Sequence, residues 1–352
     1  MKALVYDGPG SRKWTEVPDP VITDSEDAIV RVDAVTICGT DLHILKGDVP
    51  SVAPGTVLGH EAVGVVEQTG PGVRDFAPGD RVLISCISSC GRCRYCRTGS
   101  YGRCTGGGGW MLGHLINGTQ AERVRVPFAD HSMHRLPREV DDETAVLLAD
   151  ILPTSYEVGV RNGRVTPGDT VLIVGAGPIG LAAIATARLF SPLQIVVVDP
   201  APARRKTAEV YGADVTLTDA EGARAWVTSN TSDGVDVAIE AVGVPETFEL
   251  CAELVRPCGR VANVGVHGRS AVLSLESLWD RDVTITTGLV DTSSTPMLLS
   301  MLAARRLALP DLVTHRFGLG EIQEAYDTFA DATDTGAMKV LMIGDEADLG
   351  GA

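Results

Sequence analysis

The stretch VLIVGAGPIG, residues 171–180, joins an apolar β-type run to a helical segment through Gly175, Gly177 and Gly180. The G-x-G-x-x-G spacing is a weak signal alone, because the chain has 39 glycines and a glycine-rich turn would look the same. Its context is more specific, since the motif follows a strand pattern, opens a helix, and precedes a second strand that ends at Asp199. This order is typical of a dinucleotide-binding βαβ unit.

In such a unit the glycines, with Pro178 and Ile179 between them, let the helix N-terminus approach a pyrophosphate. Asp199 would accept hydrogen bonds from the adenosine ribose and repel a 2′-phosphate, which favours NAD over NADP. Arg204 and Arg205 follow closely and could weaken this preference, and Asp199 could instead be a simple turn residue.

The segments around this motif alternate between apolar strands and helices. DTVLIVGAG, LQIVVVDP, GVDVAIEAVG, GRVANVGV and VTITTGLV have strand character, and helical segments lie between most of them. They predict an α/β fold with a doubly wound parallel sheet, in which Val242, Val264 and Val266 would lie at strand ends where a dinucleotide binds. STPMLLSMLAARRL and LGEIQEAYDTFADA are predicted helices, and the acidic, glycine-rich C-terminus is a predicted loose tail.

The first part of the chain has a different texture. About 130 residues contain short β runs separated by glycine and proline, which predict an antiparallel, barrel-like region with few helices. With 352 residues, the chain is long enough for two domains.

Charge and composition exclude several classes of partner. The formal net charge is −16 and the pI is near 4.8, which argues against nucleic acid and anionic membranes as partners. The uncharged run 170–187 is interrupted by GAGPIG and is interpreted as strand, turn and helix instead of a membrane span. The N-terminal residues MKALVYDGPG lack a signal-peptide core, so we expect a reducing, cytoplasmic location. Clustered cysteines in that compartment are more often metal ligands or catalysts than disulfides.

The stretch CGRCRYCRTGSYGRC, residues 90–104, contains half of the eight cysteines. The spacing predicts a closed tetrahedral zinc site with four thiolate ligands: Cys90, Cys93, Cys96 and Cys104. An iron–sulfur cluster is the main alternative, but the bacterial ferredoxin pattern needs a shorter last gap followed by proline. A site with four protein ligands has no place for a substrate, so we expect this zinc to be structural.

A second group of candidate ligands is dispersed along the chain. Cys38 lies in ICGTDLH, His60 in LGHEAVG, and Asp150 in AVLLADILPTSY. Singly, they could be a small core residue, a turn histidine and a helix-end carboxylate. Together with a nucleotide site, they predict a catalytic zinc with one thiolate, one imidazole, one carboxylate and an open fourth position.

Several motifs occur in a familiar order: CGTDLH, GHE, PGDRV, the four cysteines, GTQAE and GAGPIG. Over nearly its whole length the chain resembles the zinc-dependent medium-chain alcohol dehydrogenases. Within them it is most similar to the bacterial formaldehyde-dehydrogenase-like and secondary-alcohol branches. The resemblance implies a GroES-like β-barrel catalytic domain at 1–150, a Rossmann NAD-binding domain at 151–290, and a C-terminal part of the catalytic domain at 291–352.

The resemblance also implies roles for individual residues. Cys38, His60 and Asp150 match the catalytic zinc ligands, although a cysteine is commoner than aspartate at the third position. Glu61 matches an acid that can transiently reach the metal, and Thr40 and His43 match a proton relay. Pocket-lining positions of the family match four residues here: Thr40, Cys86, Trp110 and Leu289. The last of these is also a predicted coenzyme contact.

The implied function is reversible NAD-dependent oxidation of small primary or secondary alcohols through a zinc-bound alkoxide. A homotetramer, or else a dimer formed through the coenzyme domains, is expected. A polyol or threonine dehydrogenase is an alternative, although polyol enzymes usually carry a glutamate near the third ligand position. A catalytically inert NAD-binding redox sensor is another.

Overall fold

The computed structural model describes residues 1–345, so the predicted tail beyond Asp345 lies outside the described range. Two compact units divide the chain. Among the described residues, unit 1 contains Met1–Asp150, Asp291–Arg306 and the residues from Asp311 onward, and unit 2 contains Ile151–Val290 and Leu307–Pro310.

Unit 1 is built on a seven-stranded sheet in the order β14-β15-β3-β4-β5-β7, with β6 also paired to β3. Its neighbours are antiparallel except β14 and β15, and β1 and β2 form a separate antiparallel pair. This arrangement agrees with the predicted β-rich first region. The strands are β1 (Lys2–Tyr6), β2 (Arg12–Glu16), β3 (Ala28–Thr36), β4 (Ala62–Thr69), β5 (Arg81–Ile84), β6 (Arg123–Val126), β7 (Met133–Arg135), β14 (Val313–Gly318) and β15 (Lys339–Ile343).

The helices of unit 1 are short. They are α1 (Gly39–Lys46), α2 (Ala129–Ser132), α3 (Asp142–Val146), α9 (Thr295–Ala303), α10 (Ile322–Ala330) and α11 (Ala332–Thr335). Helix α1 begins after Cys38 and ends at Gly47, whose φ of 86° is a left-handed conformation that glycine adopts without strain. Because Cys38 is the N-cap, the start of α1 fixes the direction of its thiol.

Unit 2 has a six-stranded parallel sheet in the order β10-β9-β8-β11-β12-β13. This is the doubly wound order of a dinucleotide-binding fold, and it confirms the predicted α/β class. The strands are β8 (Thr170–Val174), β9 (Gln194–Val198), β10 (Val215–Leu217), β11 (Val235–Glu240), β12 (Val255–Asn263) and β13 (Thr284–Thr287). The helices are α4 (Ile151–Thr154), α5 (Pro178–Ala187), α6 (Pro202–Tyr211), α7 (Ala220–Asn230) and α8 (Pro245–Leu254), with a π-helical segment at Ser155–Arg161.

Local sequence explains these elements. Helices α5, α6 and α8 have proline in the first turn, where a missing N–H costs nothing. The central strands β8 and β9 are runs of valine, isoleucine and leucine that are buried on both faces. One segment differs from the predicted domain limits: Leu307–Pro310 packs in unit 2, where the Tyr211 hydroxyl donates to the Pro310 carbonyl at 2.8 Å.

Candidate metal centre and coenzyme site

The glycine motif of unit 2 forms a tight turn between β8 and α5. A Cβ on Gly180 would lie 1.9 Å from the Gly175 carbonyl oxygen, and Gly175 has a φ of +99°. Gly177 is the N-cap of α5, and no atom lies within 4 Å of where its Cβ would be. Two of the glycines are therefore required by close backbone packing, and the third leaves open space at a helix N-terminus where a phosphate can bind.

Asp199 follows β9 and lies beside the glycine turn. Its carboxylate accepts hydrogen bonds from the Ala176 N–H at 2.8 Å and the Ala201 N–H at 2.9 Å. The Arg205 guanidinium donates to the Asp199 carbonyl at 2.7 Å, while Arg204 is only partly buried. Asp199 therefore helps to shape the turn, and Arg205 is held against the backbone.

The other predicted coenzyme contacts of unit 2 lie near the carboxyl ends of the sheet. Val242 and Val266 follow β11 and β12 and are 48% and 62% exposed, and Leu289 follows β13. Val264 follows β12 directly, and its N–H donates to the Glu240 carbonyl at 2.9 Å. The exposed valines give this edge of the sheet an apolar surface at the place where a dinucleotide lies in such folds.

The four-cysteine stretch folds into one cluster within unit 1. All four sulfurs lie within 4.8 Å of one another, including Cys93 and Cys96 at 3.5 Å and Cys90 and Cys96 at 3.9 Å. Zinc–sulfur bonds of about 2.3 Å in a tetrahedron place sulfurs roughly 3.8 Å apart. The cluster therefore has the dimensions of a closed zinc site.

The electrostatics of the cluster also suit a cation. N–H groups of Cys96 and Thr105 donate to Cys93 and lower the pKa of its thiol to about 5. Burial and hydrogen bonds with neighbouring thiols raise the pKa of Cys96 to about 12. One thiolate thus forms readily, and a further negative charge beside it needs a compensating cation such as zinc.

Unit 1 also brings together the dispersed candidate ligands. Ligand atoms of Cys38, His60, Glu61 and Asp150 all lie within 4.8 Å of one another. The Cys38 sulfur is 3.4 Å from Asp150 Oδ2, and His60 Nε2 is 3.5 Å from the same oxygen. Zinc bonds of about 2.0–2.3 Å give ligand separations of roughly 3.3–3.8 Å, so sulfur, nitrogen and oxygen are spaced as around one zinc ion.

The charges in this second cluster are unbalanced. Burial and the negative charge of Asp150 raise the pKa of the Cys38 thiol. Burial alone would lower the pKa of His60, but hydrogen bonds to Asp150 and Cys38 raise it well above its usual range. A divalent cation at the centre would reverse both shifts, because it stabilises a thiolate and a neutral imidazole.

Asp41, to which the sequence assigned no role, lies beside His60. Its Oδ1 lies 3.8 Å from His60 Nδ1, and neither atom has a hydrogen-bond partner among the described residues. Metal-bound histidines usually donate their second N–H to a carboxylate, and Asp41 is placed to accept it. Its position three residues after Cys38 in CGTDLH, at the start of a helix, was the available signal.

Lys339 was also missed, and it lies behind Glu61. Lys339 is 1% exposed, and its ammonium donates to Glu61 Oε2 at 2.5 Å and to the Ile37 carbonyl at 3.1 Å. The Thr36 hydroxyl donates to the same Glu61 oxygen at 2.6 Å. Glu61 Oε1 has no hydrogen-bond partner among the described residues, so it is available as a ligand beside Cys38, His60 and Asp150, which with Glu61 form the metal cluster. Burial lowers the pKa of Lys339, but the Glu61 carboxylate raises it above its usual value.

The predicted relay residues lie one turn apart on α1. The Thr40 hydroxyl is 3.6 Å from the Cys38 sulfur, beside the metal cluster. His43 Nδ1 is 2.8 Å from Asp48 Oδ2, and its side chain is 30% exposed. Thr40 thus faces the cluster and His43 reaches solvent.

Two of the predicted pocket residues also border the cluster. The Cys86 sulfur is 3.7 Å from Asp150 Oδ1. The Trp110 ring lies edge-on to His60 at 6.2 Å and stacks on His114 at 4.1 Å. Leu289 belongs to unit 2, where it is 39% exposed. None of the helices within residues 1–345 has the length and apolarity needed to cross a membrane.

Comparison with known proteins shows two family matches. Residues 24–138 match the alcohol dehydrogenase GroES-like domain, and residues 178–304 match the zinc-binding dehydrogenase family. The first match agrees with the GroES-like fold expected for the first region.

Individual proteins are similar over nearly the full length. An alcohol dehydrogenase from Cupriavidus necator is 35% identical over 97% of this chain and 98% of its own length. The apo structure of zinc-dependent alcohol dehydrogenase 2 from Streptococcus pneumonia is 45% identical, with a TM-score of 0.94 over 99% of each chain. An NADP-dependent isopropanol dehydrogenase from Thermoanaerobacter brockii is 32% identical over 93% of this chain and 95% of its own length.

Proposed function

This chain belongs to the zinc-dependent medium-chain alcohol dehydrogenase family, an alcohol oxidoreductase family, and from this premise we propose that it oxidises small primary or secondary alcohols with NAD. The observation that carries the proposal is the gathering of Cys38, His60 and Asp150 in unit 1. We propose two zinc ions per chain, a catalytic one at these residues and a structural one at the four cysteines.

When bound, zinc would supply a Lewis acid for the alcohol oxygen, and the nicotinamide would supply a hydride acceptor. Cys38, His60 and Asp150 would hold this acid. The Thr40 hydroxyl, beside Cys38, accepts the alcohol proton as it releases its own along the relay, and His43, with Asp48 orienting its ring, delivers a proton to solvent at the other end. In the reverse direction the same side chains return a proton to the carbonyl oxygen.

The coenzyme preference is proposed from Asp199. Its buried carboxylate would repel the 2′-phosphate of NADP, and Arg205 is turned towards backbone carbonyls. Because one relative is an NADP-dependent isopropanol dehydrogenase, the kcat/KM values of this chain should be measured with both NAD and NADP. Trp110 and Cys86, which border the metal cluster, are proposed to limit the size of the alcohol.

We also propose a homo-oligomer, with a tetramer favoured over a dimer. Strand β13 is at the edge of the unit 2 sheet, and exposed apolar side chains precede it: Val272, Leu275 and Trp279. An unpaired strand edge beside apolar side chains is a surface that a second copy could cover. A cytoplasmic location is proposed because both clusters need reduced cysteines, and all eight cysteines, which lie within the described range, are free.

The test is NADH formation by zinc-replete protein with alcohols of graded size and branching, repeated with NADP. We expect turnover of small alcohols that is lost on chelation and restored by zinc. The Thr40→Val variant, which keeps the side-chain shape, should lower kcat by about 10²–10⁴. Absence of turnover with primary, secondary and polyol substrates would contradict the proposal and favour an inert coenzyme-binding protein.

A further inference from the structure

A chain of buried polar side chains in unit 1 leads from α10 to the metal cluster. Tyr326 and Gln120 are each 0% exposed, and Asp41 is 1% exposed. The Tyr326 hydroxyl donates to Gln120 Oε1 at 2.8 Å, and Gln120 Nε2 donates to Asp41 Oδ2 at 3.1 Å. Asp41 Oδ1 then lies 3.8 Å from His60 Nδ1.

The orientation of the Gln120 amide follows from its neighbours. Its Nε2 also donates to the Thr36 carbonyl at 3.5 Å, so both N–H groups point at acceptors. A flipped amide would place Oε1 against the Asp41 carboxylate and the Thr36 carbonyl, which cannot donate. Burial and the charge of Asp41 raise the pKa of Tyr326 well above its usual value, so its hydroxyl remains a donor.

We propose that Gln120 and Tyr326 are positioning residues for the catalytic metal, acting through Asp41 on His60. This inference rests on the proposed function, because it assumes a metal at Cys38, His60 and Asp150. When His60 binds a metal through Nε2, its Nδ1–H needs an acceptor, and Asp41 Oδ1 is the nearby candidate.

Asp41 itself is held by few donors. Its Oδ2 accepts from the Cys38 N–H at 3.0 Å and from Gln120, which is in turn fixed by Tyr326. Among the described residues, loss of the amide leaves the buried carboxylate with the Cys38 N–H as its single donor and lets it turn away from His60. The Gln of the GTQAE motif therefore connects the C-terminal segment to a metal ligand.

The experiment measures zinc release to a chromophoric chelator from full-length protein, well below its melting temperature. Wild-type protein should release two zincs in separate phases, one per cluster. Gln120→Met, which keeps size and removes the hydrogen bonds, should speed release from the His60 cluster by about 10–100-fold and leave the four-cysteine phase unchanged. Tyr326→Phe should act in the same direction by about threefold to tenfold.

Tyr6→Phe is a matched control, because Tyr6 is 4% exposed in the same core but does not belong to this chain of side chains. Equal acceleration of both phases would show general destabilisation and overturn the inference, as would wild-type rates in both variants. If Gln120→Met does not fold, Tyr326→Phe against Tyr6→Phe decides the question. A wild-type protein that binds zinc only at the four cysteines would instead refute the proposed function.

Discussion

Replacing Lys339 by methionine tests the buried ion pair behind the metal cluster. Lys339 is 1% exposed and Glu61 is 0% exposed, so the substitution leaves the Glu61 carboxylate buried without its cation. Within residues 1–345, the Thr36 hydroxyl would remain the one donor to this carboxylate. Removing one partner of a buried pair typically costs about 3–5 kcal/mol, and the nearby Asp150 carboxylate adds negative charge. We expect the free energy of unfolding to fall by about this amount in metal-free protein.

The matched variant is Lys339→Met combined with Glu61→Gln. Because the amide carries no charge, the double variant should regain a large part of the loss, and the two substitutions should be strongly non-additive. Urea unfolding followed by circular dichroism, with and without zinc, measures each free energy. A loss below about 1 kcal/mol in the single variant, or strict additivity in the cycle, would refute the view that Lys339 neutralises Glu61.

Three further predictions concern other parts of the molecule. Gly180→Ala should abolish NADH binding and lower the melting temperature, because the added Cβ would collide with the Gly175 carbonyl oxygen. Gly177→Ala has open space at its Cβ and should unfold at the wild-type temperature. Equal melting temperatures for the two variants would contradict this explanation. Asp199→Asn should shift the ratio of kcat/KM values for NAD and NADP about tenfold towards NADP, since it removes a charge that repels the 2′-phosphate. Burial lowers the pKa of His134 to about 4. Between roughly pH 6.5 and 4 the unfolded chain therefore binds a proton at His134 that the folded chain does not. The free energy of unfolding therefore decreases as the pH is lowered through this range. His134→Leu should remove about 3 kcal/mol of this acid-induced loss in unfolding titrations at stepped pH.

Much of the fold was predictable because its signals are local. The glycine turn, the apolar strands of unit 2 and the four cysteines each depend on neighbours in the sequence, so spacing alone indicates their structure. The GroES-like region was predicted as β-rich, but its strand order depends on pairings between distant segments, such as β15 with β3. The predicted boundary assigned all of 291–352 to the catalytic domain, whereas Leu307–Pro310 belongs to unit 2. Its position depends on tertiary contacts, such as that of Tyr211 with Pro310, which local sequence does not reveal.

The metal cluster was predicted by family resemblance more than by pattern. Cys38, His60 and Asp150 are far apart in the sequence, and each has an ordinary structural explanation. The residues around them were missed because their roles arise only on folding: Asp41 faces His60, and Gln120 meets Tyr326. One signal was available for Lys339, which is the single charge in the apolar run AMKVLMI, residues 337–343. Asp150 is likewise the single charged residue in the apolar segment AVLLADILPTSY.

Zinc stoichiometry of purified, metal-replete protein tests the central claim most directly. Elemental analysis should give two zincs per chain in wild-type protein and one in Asp150→Ala, with the remaining ion at the four cysteines. Cys93→Ser should also reduce the count to one, but by loss from the other cluster, so that Asp150 still binds its ion. Two zincs retained by Asp150→Ala, or a single zinc in the wild-type protein, would contradict the assignment of Cys38, His60 and Asp150 as the catalytic metal site.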